Sequence, residues 1–329
     1  GCDMLMAGEP AYSLELKEGG WLHPYVTEAR NNLRFDYDEE GYWYPVRVCT
    51  KGFAYNPEMY SKEEIPTSYE AFANDSQYQN TQSMSDPLKY YDNNLHGTMV
   101  LLSAMVAHGV DKIVFSSTAA AYGEPEQVPI LETDRTVPTN CYGETKLSME
   151  RMMAWVSQAH GLRYVALRYF NAAGAHPSGS IGEAHTPETH LIPIILQVPS
   201  GQRDKVSIFG GDYPTRDGTC VRDYIHVTDL AQAHILALDY LLAGGENNVF
   251  NLGNGVGFTN KEVVEVARSV TGHPIPAEIA PRRAGDPAQL VASSEKAKAV
   301  LGWKPKYDDL NTIVATAWKW HQSHPNGFA

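Results

Sequence analysis

"KIVFSSTAAAYGEPEQVP", residues 112–129, decides how this chain is read. Ile113, Val114 and Phe115 form a short β-branched and aromatic run that suits a buried strand. That strand stops in Ser116, Ser117 and Thr118 and then turns, so hydroxyls stand where the backbone leaves the core. Just downstream, "YGETKLSMERMMAWVSQAHG" (142–161) reads as a helix stopped by Gly161. Tyr142 and Lys146 lie at i and i+4 on one face of it, which sets an ammonium beside a phenol. A nearby cation favours the phenolate and lowers a tyrosine pKa from its reference near 10, so Tyr142 is expected to be a base usable near neutral pH. Chance supplies that spacing about once in a chain with 19 tyrosines, so a plain surface pair is an equal reading of the two residues alone. The weight comes from Thr118, a strand-end hydroxyl that can meet the same substrate oxygen.

Working outward, the elements alternate. "NLHGTMVLLSAMVAHG" (94–109) carries Met99, Leu102, Met105 and Val106 at helical spacing, and "RYVALRYFN" (163–171) is a second buried strand. Helix, strand, helix, strand with short connections is the grammar of a parallel sheet covered by helices. Ligands of such sheets sit at the carboxyl ends of the strands, where Thr118 and Asn171 fall. Beyond Asn171 the chain turns rich in Gly, Pro and His. "RDYIHVTDLAQAHILALDYLLAGG" (222–245) enters a helix capped by Thr228 or Asp229 and stopped by Gly244, and two further amphipathic helices follow. A smaller carboxyl-terminal lobe over the strand ends is expected.

The 329 residues carry a net charge of -13, which argues against a nucleic-acid partner, because phosphate backbones need clustered Lys and Arg. Cys2, Cys49, Cys141 and Cys220 are widely spaced, with no CxxC pair and no His cluster at zinc spacing. No metal site and no disulfide framework are indicated, and reduced thiols in the cytoplasm are expected. No window holds eighteen apolar residues and the start lacks a basic leader, so neither a membrane-spanning nor a secreted chain is expected.

Six stretches in order, "SDPLKYYDNN", "FSSTAAAYG", "CYGETKL", "LRYFNAAGAHPSG", "IFGGDYPTRDGTCVRDYIHVTDLA" and "RRAGDPAQLVASSEKA", carry a family resemblance. From about Ser83 to the end the chain resembles the extended branch of the short-chain dehydrogenase/reductase superfamily, and within it the enzymes that invert C4 of UDP-hexoses. The resemblance implies a Rossmann-like, doubly wound parallel sheet of the α/β class, with NAD held mainly by residues 1–170. Residues 171–329 would form mainly a UDP-sugar-binding lobe, with some segments returning to the NAD domain. It further implies a homodimer built through a helical face and reversible epimerisation of UDP-galactose and UDP-glucose through a 4-keto intermediate, with a transient hydride on tightly bound NAD.

Carried over residue by residue, Tyr142 is the base, Lys146 its electrostatic partner that also holds the nicotinamide ribose, and Thr118 the hydroxyl that orients the 4-OH. Asn93, Ser116, Ser117 and Tyr169 line the cofactor. Asn171, Leu191, Phe209, Arg222, Tyr224, Arg283 and Asp286 match positions that bind UDP. His190 stands beside Leu191 and is a candidate nucleotide contact, although a loop histidine is as often merely solvated. Guanidinium groups suit a diphosphate, and Arg222 and Arg283 are the two on offer. Taken singly, Arg222 reads as an exposed ion pair, Phe209 as core and Asn171 as a turn residue.

Related dehydratases follow the catalytic Thr with Asp-Glu, whereas Ala119, Ala120 and Ala121 follow Thr118 here, which favours plain epimerisation. Leu290 replaces a large Tyr found beside the sugar in some members; the added room predicts acceptance of N-acetylated UDP-hexosamines. Other NAD-dependent sugar-nucleotide enzymes of this branch are the alternatives, as is a sugar-nucleotide-binding protein without catalysis, which would not need a tuned phenol.

Residues 1–82 depart from the pattern. They are polar and tyrosine-rich where three buried strands are expected. "MLMAGEPAYSLE" (4–15) keeps Gly8 and Tyr12 of a G-x-x-G-x-x-G turn for the cofactor but sets Pro10, Ala11 and Leu14 where small or positive-φ residues belong. Asp36 and Asp38 are candidates for the adenosine ribose by distance alone. Misreported letters, a divergent segment and a foreign one are the three accounts. The first is favoured, because a complete catalytic half has no use without a dinucleotide and the length is that of the missing strands.

Overall fold

The structure is a computed structural model that describes residues 4–6, 86–185, 188–283 and 286–328. The readings of Gly8, Tyr12, Asp36, Asp38 and the remainder of 7–85 lie outside the described residues.

Among the described residues the order is strand β1 (Met4–Met6), helix α1 (Pro87–Tyr90), a π-helical turn (Tyr91–His96) and α2 (Gly97–Ala107). Strand β2 (Lys112–Thr118) runs into a 3-10 turn (Ala119–Ala121), followed by α3 (Cys141–His160), β3 (Arg163–Tyr169) and β4 (Asn171–Ala173). Then come α4 (Leu191–Leu196), β5 (Val206–Phe209), β6 (Val221–Arg222), β7 (Tyr224–His226), α5 (Val227–Leu242) and β8 (Asn248–Leu252). The remainder is β9 (Phe258–Thr259), α6 (Asn260–Thr271), β10 (Ala277–Ala280), β11 (Gln289–Leu290), α7 (Glu295–Leu301) and α8 (Leu310–Ser323).

The main sheet has the order β1-β2-β3-β8, and every pairing in it is parallel. "DMLMAG" supplies its first strand, with Leu5 opposite Val114. Alternation along the strands builds two cores. Ile113 and Phe115 of β2 and Ala166 of β3 face α2 and α3, packing on Leu102, Met105, Met149 and Met153. Val114, Val165 and Leu167 face the other way with Phe250 and Leu252, onto Leu230, Ala233 and Ala237 of α5 and Ala297 of α7. Helices on both faces make the sheet doubly wound, and the fold is α/β of the Rossmann type. Met99 and Val106 share the helical pattern of α2 but face outward, 52% and 38% exposed.

A third core joins α4, α6 and α8 with β5, through Ile192, Ile195, Val206, Ile208, Val263, Val264, Ile313 and Val314. Short pairings complete the second half: β4 with β7, β10 with β5, and β11-β6-β9. Asp223, between β6 and β7, fastens two loops by accepting the N–H groups of Asn254 (2.6 Å) and Gly255 (3.1 Å) from one and Ala292 (3.1 Å) from the other.

The helix starts follow local chemistry. Asn140 caps α3 by accepting the Gly143 N–H at 2.8 Å, and Gly161 ends it at φ +75°. Thr259 and Glu262 form a capping box on α6. The N-cap of α5 is His226, whose ring nitrogen accepts the Thr228 N–H at 3.2 Å. This corrects the expectation of Thr228 or Asp229: Asp229 instead accepts the N–H groups of Lys306 and Tyr307, 2.8 Å each, tying the chain after α7 to this helix. No helix of the described residues is long and apolar enough to cross a membrane, and Cys141 and Cys220 are free thiols.

Candidate active site

Gly143 sets the start of α3 against the turn after β2: a Cβ there would lie 2.4 Å from the Ala120 carbonyl oxygen. That close approach brings Tyr142 to Thr118. The Thr118 Oγ1 accepts the Ala120 N–H at 3.1 Å, and its hydroxyl hydrogen-bonds the Tyr142 phenol. One turn along α3, the half-buried Lys146 Nζ donates to the Ser116 carbonyl at 3.0 Å and stands 5.8 Å from the centre of the Tyr142 ring. The three proposed catalytic residues therefore meet at the carboxyl end of β2.

The electrostatics reverse one expectation. Burial pushes the Tyr142 phenol up, the nearby Tyr169 and Tyr90 phenols oppose its ionisation further, and the Thr118 hydrogen bond works the other way. Burial also pushes Lys146 down to about 8, against the pull of Glu150. Lys146 does not lower the tyrosine in the protein alone, because its ammonium is directed to the Ser116 carbonyl and is itself costly to keep charged in a dry pocket.

Neighbouring residues of β2 face opposite sides, and this separates the two serines. Ser116 presents its carbonyl to Lys146 while its hydroxyl meets His234 of α5 at 2.8 Å. Ser117 is not brought to the phenol: its hydroxyl donates to Glu150 of α3. Glu150 also takes Arg168 Nε at 3.0 Å and Nη2 at 2.5 Å, and both side chains are only 7% exposed. The sequence reading missed Glu150. Its signal was nonetheless present, since Tyr142, Lys146 and Glu150 follow one another at i, i+4 and i+8.

The cofactor candidates Asn93 and Tyr169 flank the same place. Asn93 lies half-buried in the π-helical turn, next to Asn94, whose Nδ2 donates to Thr145 of α3 at 2.8 Å. Tyr169 ends β3 opposite Thr118. An ammonium has three N–H donors, and among the described residues the Ser116 carbonyl takes one of Lys146's. A half-buried cation with donors to spare, among phenol and threonine hydroxyls at a strand end, fits the hydroxyl-rich ribose of a nicotinamide nucleotide.

The substrate candidates fall into two groups. In the first, Asn171 donates its backbone and side-chain N–H groups to the Asp223 carbonyl at 3.0 and 2.9 Å, and it pairs with Tyr224. Arg222 pairs with Leu290 across β6 and β11, donates to the Val221 and Pro287 carbonyls at 2.9 Å each, and lies 3.5 Å from Asp286. Tyr224 sits in the third core, 4% exposed, and burial raises its phenol with Arg222 opposing. In the second group the Arg283 guanidinium stacks over the Phe209 ring, 3.9 Å from its centre. Leu191 is half-buried at the first position of α4. His190 precedes it but turns its ring to Glu183 (2.8 Å) and Glu188 (2.9 Å), hydrogen bonds that push its pKa up to about 10.

The chain is similar to known proteins over most of its length. The model of the NAD dependent epimerase/dehydratase family matches residues 72–253. UDP-glucose 4-epimerase of Halalkalibacterium halodurans is 63% identical over 248 residues, 75% of this chain and 74% of that protein. The solved structure of UDP-glucose 4-epimerase from Bifidobacterium longum in complex with NAD+ and UDP is similar with a TM-score of 0.72 and 41% identity, covering 79% of this chain and 81% of that one. That of the UDP-Glc/GlcNAc 4-epimerase from Campylobacter jejuni has a TM-score of 0.63 and 42% identity over 78% and 80% of the two chains. With the family model spanning more than half of the chain and relatives this similar, the chain belongs to the NAD dependent epimerase/dehydratase family.

Proposed function

We propose that this chain interconverts UDP-glucose and UDP-galactose by inverting C4 of the hexose. The observation that carries this reading is the meeting of Thr118, Tyr142 and Lys146 at the carboxyl end of β2. Bound NAD+ supplies a hydride acceptor that becomes the donor again, together with the positive charge of its pyridinium, so there is no net redox change. Tyr142 takes the proton from the 4-OH and later returns it to the same oxygen on the inverted centre. Thr118 donates a hydrogen bond that favours the phenolate and holds the reacting oxygen in line. Lys146 grips the ribose hydroxyls and contributes charge to a pocket whose dryness strengthens it.

Ala119, Ala120 and Ala121 form the turn directly after Thr118, so that position offers no carboxyl for an elimination. This supports epimerisation over dehydration. On the substrate side, Arg222 and Arg283 are read as the diphosphate clamp, Phe209 as a face for uracil, and Asn171, Leu191, Tyr224 and Asp286 as the rest of the UDP contacts. Leu290, paired to Arg222, leaves room beside the sugar's 2-substituent, so UDP-GlcNAc is a second substrate. Residues 1–170 are assigned mainly to NAD and residues 171–329 mainly to UDP-sugar. The working form is a cytoplasmic homodimer, for which the exposed Met99, Val100 and Trp155 on α2 and α3 offer a helical face.

The test is turnover of UDP-galactose by purified protein and by its Tyr142→Phe variant, together with nucleotide analysis after acid denaturation. Turnover should fall at least roughly 10²-fold in the variant, the scale of one general acid-base group, and NAD should be released from both proteins. Unchanged turnover in Tyr142→Phe, or protein without any dinucleotide, overturns the reading.

A further inference from the structure

The loop between β4 and α4 carries the pattern E-x-H twice, in Glu183 with His185 and in Glu188 with His190. Folding turns the two halves toward each other. The His185 Nδ1 lies 2.7 Å from Glu183 Oε1 and 3.9 Å from Glu188 Oε2. The His190 Nδ1 lies 2.8 Å from the same Glu183 oxygen and 2.9 Å from Glu188 Oε1. One donor atom from each of the four residues falls within 4.8 Å of all the others. From this convergence we infer that Glu183, His185, Glu188 and His190 form a binding site for a divalent transition-metal cation of the zinc type.

The geometry matches that chemistry. Ligand bonds of about 2.0–2.2 Å in a tetrahedron set the ligand atoms roughly 3.3–3.6 Å apart. The nitrogen–oxygen distances found here are 2.7, 2.8, 2.9 and 3.9 Å, so three of the four pairs are in hydrogen-bond contact and would spread by roughly 0.5 Å around a cation. Two imidazole nitrogens and two carboxylates suit zinc, whereas magnesium and calcium favour oxygen ligands throughout.

The ligands are held from outside. Oε1 of Glu188 accepts the N–H groups of Thr189 and His190 at 2.7 Å each and also meets His190 Nδ1 at 2.9 Å, while Oε2 lies 3.9 Å from His185 Nδ1, and the side chain is 5% exposed. The Glu183 carbonyl accepts the Trp320 indole N–H at 2.9 Å, and Gly182 presses on that ring so closely that a Cβ would lie 2.2 Å from Trp320 Cγ. Such outer contacts orient metal ligands. The sequence reading saw no metal site, because it sought cysteine pairs and histidines at zinc-finger spacing. A bound cation would staple this loop to the start of α4, where Leu191 stands.

The test uses full-length protein stripped by a chelator and dialysed. Titration with Zn2+ against a chromophoric chelator should show one equivalent taken up per chain, undisturbed by excess Mg2+. Co2+ should give the visible d–d bands of a tetrahedral site. The variants His185→Ala and Glu183→Gln should each weaken Zn2+ binding at least tenfold. Absence of stoichiometric Zn2+ uptake by the unmodified chain overturns the site, as does unweakened affinity in both folded variants. Where a variant fails to fold, the Co2+ spectrum of the unmodified chain decides alone: tetrahedral bands support the site and their absence overturns it.

Discussion

Tyr142 and Lys146 show why spacing alone does not set a pKa. The i, i+4 relation places both on one face of α3, yet burial dominates and drives both groups toward their neutral forms, the phenol up and the ammonium down to about 8. With the phenol neutral and the ammonium still mostly charged at pH 7, this pair responds strongly to the next charge that enters. Glu150, two turns below Tyr142, is the group that holds this arrangement from beneath. It is bonded to Ser117 and to both Nε and Nη2 of Arg168, and Arg168 also stacks on Tyr122, 4.9 Å from the ring centre. Glu150→Gln keeps the shape and leaves Arg168 buried without a counter-charge. Loss of about 3–5 kcal/mol of stability is expected, the cost of breaking a buried pair. Urea unfolding of the variant beside the parent chain measures it, and an unchanged midpoint contradicts the assignment.

Among the elements, the junction of β2, its 3-10 turn and α3 has the least slack. Gly143 does not need glycine for its backbone angles, being helical; it needs the absence of a side chain, since the Ala120 carbonyl occupies the Cβ position. Gly143→Ala must push the first turn of α3 off the strand end and carry Tyr142 with it. A displacement near 1 Å costs on the order of 10²-fold in rate. The variant should keep its far-UV circular dichroism and lose about that much kcat, and a kcat within threefold of the parent's rules the junction out as the positioning device. β2 itself sorts its side chains by strand alternation, which is why Ser116 and Ser117 serve different partners, His234 and Glu150.

For the molecule as a whole, buried titratable groups set the response to acid. Burial holds the imidazoles of His226 and His234 at about 4, below the ordinary 6.5. Between those values the unfolded chain binds protons that the folded chain refuses. Stability from both groups is therefore complete above pH 6.5 and lost as pH falls toward 4. Asp223, raised to about 6 by burial, acts in the opposite sense: between pH 6 and 3.8 the folded chain takes up its proton first and gains stability. One carboxyl against two imidazoles leaves a net loss on the order of several kcal/mol. Urea midpoints at pH 7, 5.5 and 4.5 should fall in that order, and His234→Gln should flatten the fall. A midpoint that rises toward pH 4.5 contradicts this account.

Much of the fold was legible because it rests on local signals. β2, β3, α3, α6 and α8 follow from apolar periodicity, caps and glycine stops, features that short-range sterics and hydrogen bonding decide within a few residues. Thr118, Tyr142 and Lys146 were legible for the same reason, as a strand end and one helical face. The cap of α5 was misread because Asp229 is claimed by Lys306 and Tyr307, far along the chain, and no local rule foresees that competition. Sequence by itself determined the α/β alternation and the residue types at the strand ends, since both depend on period and chemistry. Tertiary structure alone decided that burial would raise the phenol, that Glu150 would claim Ser117 and Arg168, and that two E-x-H units would converge. Each of these depends on the desolvation and proximity of groups that only folding brings together.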